Sequence, residues 1–344
     1  IQGQAAWRAP LGTYPAQGRV QLVGQNLQFT DTFVQVARGT VAATGTMRQN
    51  RWQAYLRATN LHLQDLGGSG SALLNGQAQL AGRFNQPDGK GLEARARTQI
   101  NLAGGSLAGA VILNQGQWRA ALQGKNLSLA ALAPQLRGRG GGQIELSGSL
   151  ARPNLEGIQG QGRVVLSAGL GSASPQVPSL ALATAPLTAD LAWNGKSLLV
   201  RQAQTTGLAI QGVVTPQLTG VGAPGLASVD LHLQARDFNL ALLPLPDVVP
   251  VAGLASFNGR LVGSPSHLQL RGDASLKHLT LGELAFAPTL AGPITFSGPA
   301  GLNLDLQGGQ DRLRVVTNPG DRHLDFLLRS GSAQATGYAQ GDSF

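Results

Sequence analysis

Apolar and polar residues alternate with a period of two along most of this chain. In "ASVDLHLQARDF" Val229, Leu231, Leu233 and Ala235 share one side, while Asp230, His232, Gln234 and Arg236 share the other. "LEARARTQINLAG" and "HLQLRGDASL" follow the same rule. Successive side chains of an extended backbone point to opposite faces, so the pattern predicts strands with one dry and one wet face. Half-wet strands suit antiparallel sheet. Asn50, Asn114-Gln115-Gly116 and Asn194-Gly195 stand between alternating runs where hairpin turns belong. Helix is limited to a turn or two, in "LSLAALAPQL" and "NLALLPLPDVV", where closely spaced leucines are followed by proline.

The pattern repeats. "WQAYLRATNLHLQDL" from Trp52 lies over "WRAALQGKNLSLAAL" from Trp118, 66 residues later, with Ala54, Leu56, Asn60, Leu61, Leu63 and Leu66 falling on Ala120, Leu122, Asn126, Leu127, Leu129 and Leu132. Without a gap, Gly76, Leu80, Gly82 and Pro87 then meet Gly142, Leu146, Gly148 and Pro153. A third copy puts Leu231, Leu233, Ala235 and Leu240 over Ala54, Leu56, Ala58 and Leu63, with Gly253 and Gly259 over Gly76 and Gly82. The copies span about 52–117, 118–157 onward and 229–290, leaving 158–228 as a degenerate copy or an insertion. A repeat of this kind buries its apolar face only by stacking on its neighbours.

At roughly eleven residues per strand and turn, the chain holds about thirty strands, and a continuous sheet of them at ~4.8 Å each runs on the order of 150 Å. Several separate sandwiches or one elongated, curled sheet satisfy that number. The unbroken register between the first two copies favours the second, with residues 1–344 as one continuous repeat-built segment of a longer protein. The fold class expected is all-β: an elongated, curled antiparallel sheet with an apolar interior and one or two very short helices.

Composition agrees. Gly is abundant at 48 residues and only 12% of the chain is charged, against about 25% in ordinary globular proteins. There is no cysteine, hence no disulfide and no thiolate zinc site. No window of about 18 uninterrupted apolar residues spans a bilayer as helix, and the chain opens mid-pattern with "IQGQAAW" rather than with a signal peptide. The net charge of +9 is uneven: residues 1–229 carry 18 basic and 7 acidic side chains, the rest 8 and 10. A basic face suits nucleic acid or anionic lipid, or is simply solvated.

Candidate chemistry is sparse. Gly195-Lys196-Ser197 matches the end of a phosphate loop, but Asp190 stands where its first glycine belongs and alternating strands flank it, so a hairpin turn is the better reading. "GRGGGQ" at Gly138–Gln143 lacks the dinucleotide-binding spacing. His62, His232, His267, His278 and His323 have no metal-ligand spacing, and the four glutamates form no close pair for acid/base work. Nucleic-acid binding calls for stacking aromatics among the basic residues, and sixteen aromatics are spread over the whole chain. No enzyme activity, metal or cofactor is expected.

In "LSGSLARPNLEG" the element Leu146, Gly148, Leu150, Pro153, Leu155, Gly157, preceded by an Asn-Leu-x-Leu-x-x-Leu-x-Pro block, resembles the repeats of the TamB and AsmA-like family. "LAGRFNQPDGKG" and "FNGRLVGSPSHLQLRG" look like further copies. The resemblance implies a β-taco: a long antiparallel sheet folded into a U-shaped groove with an apolar inside, bridging the inner and outer membranes of diderm bacteria. Family members are anchored by an N-terminal membrane helix, meet a BamA-like barrel through a C-terminal region, and are linked to phospholipid transfer and outer-membrane biogenesis. This chain is then a middle segment, periplasmic and tied to the inner membrane through a helix outside it.

Three functions follow as expectations. The first is a lipid conduit, with acyl chains lying along Leu56, Leu61, Leu63, Leu122, Leu127, Leu129, Leu231, Leu233 and Leu240 and headgroups in water at the open edge. The second is a scaffold for assembly or secretion of outer-membrane proteins, whose strands pair with exposed sheet edges. The third is a plain structural spacer, in which the same leucines are core packing.

Overall fold

The computed structural model describes residues 2–11, 13–66, 72–83, 91–102, 104–128, 136–152, 154–167, 171–172, 186–217, 225–242, 250–298, 301–318 and 323–340. The chain forms two compact units, Ile1–Val165 and Leu166–Phe344.

In the first unit β1 (Gln2–Leu11), β2 (Tyr14–Val23), β3 (Asn26–Val36), β4 (Gly39–Arg48), β5 (Arg51–His62), β6 (Leu73–Arg83), β7 (Glu93–Leu102), β8 (Gly105–Asn114) and β9 (Gln117–Ser128) each pair antiparallel with the next. After the two-residue β10 (Leu136–Arg137), β11 (Arg139–Ser149) pairs with β9. Beside it runs β12 (Gln159–Leu166), where Gln161 Nε2 donates to Glu145 Oε2 at 3.2 Å.

The second unit opens with the two-residue β13 (Gly171–Ser172). Its ladder runs through β14 (Leu187–Trp193), β15 (Leu198–Thr205), β16 (Leu208–Gln217), β17 (Gly225–Asn239), β18 (Val251–Gly263) and β19 (Gln269–Leu281). It continues through the short β20 (Leu284–Ala285) to β21 (Thr289–Ser297), β22 (Gly301–Gly308), β23 (Asp311–Asn318), β24 (His323–Ser330) and β25 (Ala333–Gln340). Every one of these pairings is antiparallel, and none among the described residues returns from the end of a unit to its start, so the curled sheet is not closed into a barrel. The residues with no clear repeat, 158–228, include β14 to β16 and continue the same up-and-down order.

The described residues form 25 strands rather than about thirty, and several exceed the eleven residues expected for strand and turn together, β17 with 15. Among the described residues helix is confined to 3-10 turns at Leu63–Leu66, Leu155–Gly157 and Leu240–Leu242. Most of "LSLAALAPQL" lies outside the described residues.

The turns form where the sequence placed them. Between β8 and β9, Gln115 (φ 51°) and Gly116 (φ 73°) are both left-handed, the conformation that matches strand twist in a two-residue hairpin. Between β14 and β15, Asn194 Oδ1 accepts from the Lys196 and Ser197 N–H groups at 3.0 and 2.9 Å. The Gly195-Lys196-Ser197 segment is thus a hairpin turn.

Two devices recur with the repeat. Asn60 and Asn126 both have φ 53°, and Asp237, their counterpart in the third copy, has φ 47°. Each marks a bulge at which the ladder register shifts. Where the bulged carbonyl crosses the preceding strand the residue is Gly39 or Gly105, again 66 apart, and an added Cβ there would strike the backbone oxygen of Asn60 or Asn126. The second device is an indole laid over a cross-strand glycine: Trp52 over Gly82 and Trp118 over Gly148. Trp7 over Gly18 and Phe326 over Gly337 repeat it. A ring covers the backbone that glycine leaves bare.

Candidate functional site

The ladder register turns the alternation into continuous rows on the apolar face. In the first unit one row reads Leu56, Ala78, Ala96, Val111, Ala120, Leu146 across β5, β6, β7, β8, β9 and β11. The next reads Ala58, Gly76, Thr98, Gly109, Leu122, Ile144. In these two rows small side chains therefore make most of the floor over β6 to β8, with Val111 among them, and leucine and isoleucine stand at its margins. Leu56 and Leu122 are half-buried, and Ile144, on the same apolar face, is 38% exposed. Every residue of these two rows keeps part of its surface exposed, whereas Leu113, one row along on the same face of β8, is buried.

The second unit differs along its length. Leu240, Leu279, Phe286, Leu290, Leu306 and Leu313 form one buried cluster, in which Leu290 and Leu306 have no exposed surface. There the apolar face is closed by its own side chains. At the other end of the same strands the row Leu231, Leu261, Leu270, Phe296, Leu302 crosses β17 to β22. Leu231 is half-buried and Phe296 is 37% exposed.

The nine leucines singled out in the sequence sort accordingly. Leu56, Leu122, Leu127, Leu231 and Leu233 are half-buried on the apolar face. Leu127 leans over Gly124, and Leu233 lies between Ile210 and Gly259. Leu63 begins the 3-10 turn after β5. Leu61 is buried at 7% exposure beside Leu74, and Leu240 belongs to the buried cluster. Leu129 lies outside the described residues.

Sequence reasoning missed the small-residue floor, because which alanines and glycines adjoin depends on register. It also missed two adjoining grooves on the polar face, of about 680 and 520 Å³, which share Tyr55, Gln79, Arg95 and Ile112. Only the recurrence of exposed arginines at alternate positions, as in Arg95 and Arg97, hinted at them.

Several titratable groups form ion pairs, two of them between neighbouring strands and one, Arg38 with Asp65, between two turns. Arg260 grips Asp230 with both ends of its fork at 2.6 Å, Arg38 donates to Asp65 at 2.7 Å, and Arg312 Nε donates to Asp305 at 2.8 Å. These hydrogen bonds hold all three carboxyls below the usual carboxylate range. Ser266 Oγ and His267 Nδ1 are 2.9 Å apart within one turn, and His323 contacts Asp325 at 2.9 Å while stacking on Tyr338. Among the described residues no three His, Asp or Glu converge as a metal site.

No family, curated protein or solved structure matches the chain. The functional reading therefore rests on the apolar face and its register.

Proposed function

We propose that the protein is a lipid-binding conduit of the TamB and AsmA-like kind, holding phospholipid acyl chains against its apolar face in the envelope of a diderm bacterium. The observation that carries this reading is the row from Leu56 to Leu146, whose middle is Ala78 and Ala96. A sheet closing on itself would fill such a centre with large side chains, as Leu290 and Leu306 do in the second unit. Here the margin residues stand taller than the floor, which suits a slender apolar chain lying between them. Each methylene removed from water contributes about 0.8 kcal/mol, so a few per acyl chain suffice for retention without any specific hydrogen bond. The work is binding and guidance, and no side chain has to make or break a bond.

The test is photocrosslinking. Benzoylphenylalanine placed at Leu56 or Leu233 is expected to capture lipid, identified by mass spectrometry after expression in bacteria. The same probe at Thr295, exposed on the polar face of β21 in the second unit, is expected to capture none. Absence of lipid at Leu56 and Leu233, or equal capture at Thr295, would overturn the reading.

A further inference from the structure

The polar face of the first unit carries a charge distribution that the lipid groove does not use. Arg51 stands directly opposite Arg48 on one side and Arg83 on the other. Like charges paired across strands destabilise a sheet unless something neutralises them. The same face of β5, β7 and β9 presents Arg57, Arg95, Arg97, Arg119 and Lys125, all exposed. Against these eight cations β4 to β9 contribute one acidic residue, Glu93. Among the described residues none of the eight forms an ion pair. In the second unit, by contrast, Arg260 and Arg312 are each matched to an aspartate on a neighbouring strand, and Lys277 on β19 to Asp237 on β17, two strands away.

We propose that the polar face of β4–β9 is a docking surface for an anionic phospholipid bilayer. Charge complementarity calls for many negative groups, and their layout selects the kind. The cations extend over six strands, roughly 24 Å at the usual strand spacing, and more than about 20 Å along the strands. A linear polyanion neutralises one line across such an array; the headgroups of a membrane meet it as a plane. Tyr55 (39% exposed) and Ile112 (55% exposed) stand among the arginines. An exposed phenol and an exposed aliphatic side chain suit the boundary between headgroups and acyl chains. Tyr55 already donates its hydroxyl proton to Gln77, and the face has no second exposed aromatic on β5–β9 to form the stacking series that single-stranded nucleic acid requires.

The inference is independent of the lipid groove, which lies on the opposite face. The test is vesicle flotation of the full chain with phosphatidylcholine alone, with phosphatidylcholine and phosphatidylglycerol, and with the latter plus single-stranded RNA or inorganic phosphate. Binding is expected to the phosphatidylglycerol vesicles only, to weaken with salt, and to persist in phosphate. The triple variant Arg51→Gln, Arg95→Gln, Arg97→Gln is expected to bind on the order of a hundredfold more weakly. Arg260→Gln with Arg312→Gln, removing the same kind of charge from ion pairs, is expected to change binding less than about twofold. Equal binding to neutral vesicles, no loss in the triple variant with its β-sheet circular dichroism intact, or displacement by RNA at lower concentration than lipid would overturn the proposal. Leu56→Arg serves as the discriminating control: it is expected to abolish lipid capture in the groove and leave flotation unchanged.

Discussion

The indole of Trp52 lies flat against Gly82 on the neighbouring strand, and an added Cβ on that glycine would come within 2.7 Å of the ring. Trp118 and Gly148 reproduce the arrangement at 2.8 Å one repeat later. Gly82→Val and Gly148→Val must each expel the ring, so each is expected to cost about 1–3 kcal/mol in urea unfolding. Tryptophan emission should shift to the red in both, because the displaced indole meets water. Gly116→Val is not a comparable control, since that glycine is left-handed. Gly3, with open space around its Cα, is the suitable one.

The bulges at Asn60 and Asn126 use backbone that β-branched residues disfavour. Asn126→Val is expected to destabilise by about 1–2 kcal/mol, and Asn126→Gly to be close to neutral. At Asn60 the exposed N–H is taken by Asn75 Oδ1 at 2.9 Å. Asn75→Ala therefore leaves that donor to water, and amide exchange at Asn60 should accelerate with little change in global stability.

Closed and open stretches of the apolar face should respond differently to truncation. Leu306, with no exposed surface, sits among Leu290, Leu313 and Phe286. Leu306→Ala is expected to cost about 2–5 kcal/mol. Leu122→Ala, at a half-buried margin beside Ile144, should cost about 1 kcal/mol by loss of a partly covered side chain. Comparable losses at the two sites, measured by urea denaturation, would show that the first unit's face is covered like the second's.

Acid should weaken the molecule through its arginine-bound aspartates. Asp65, Asp230 and Asp305 titrate below the ordinary carboxylate range because an arginine donates to each. The unfolded chain therefore binds more protons than the folded one as pH falls through about 4. Stability from these pairs is complete above the ordinary aspartate range and is lost as pH drops through the lowered native values. Asp305→Asn is expected to cost up to about 1 kcal/mol at neutral pH and to flatten the decline in urea midpoint below pH 4.

The strands, the hairpin turns and the 66-residue repeat were legible because each depends on residues close together in the chain. Alternation placed Leu231 and His232 on opposite faces, and Gln115-Gly116 announced its own turn. What local pattern does not contain is register. Trp52 and Gly82 both stood out as repeat positions, yet their contact follows only once β5 and β6 are aligned. The same holds for Arg48, Arg51 and Arg83, which read as scattered surface charges until the ladder sets them side by side. Leu240 reads as the partner of Leu63 by alignment, but its surroundings are supplied by Phe286 and Leu290, more than forty residues downstream. Burial of that kind is a property of the strands that follow.

In both units nearly every strand finds its partners immediately before and after it in the chain. Contacts between chain neighbours close short loops, so each hairpin can form once its second strand is available, without waiting for a distant segment. A polypeptide delivered end first can therefore acquire structure in the order in which it emerges. Duplication of a strand pair likewise lengthens such a protein without disturbing the pairings already made.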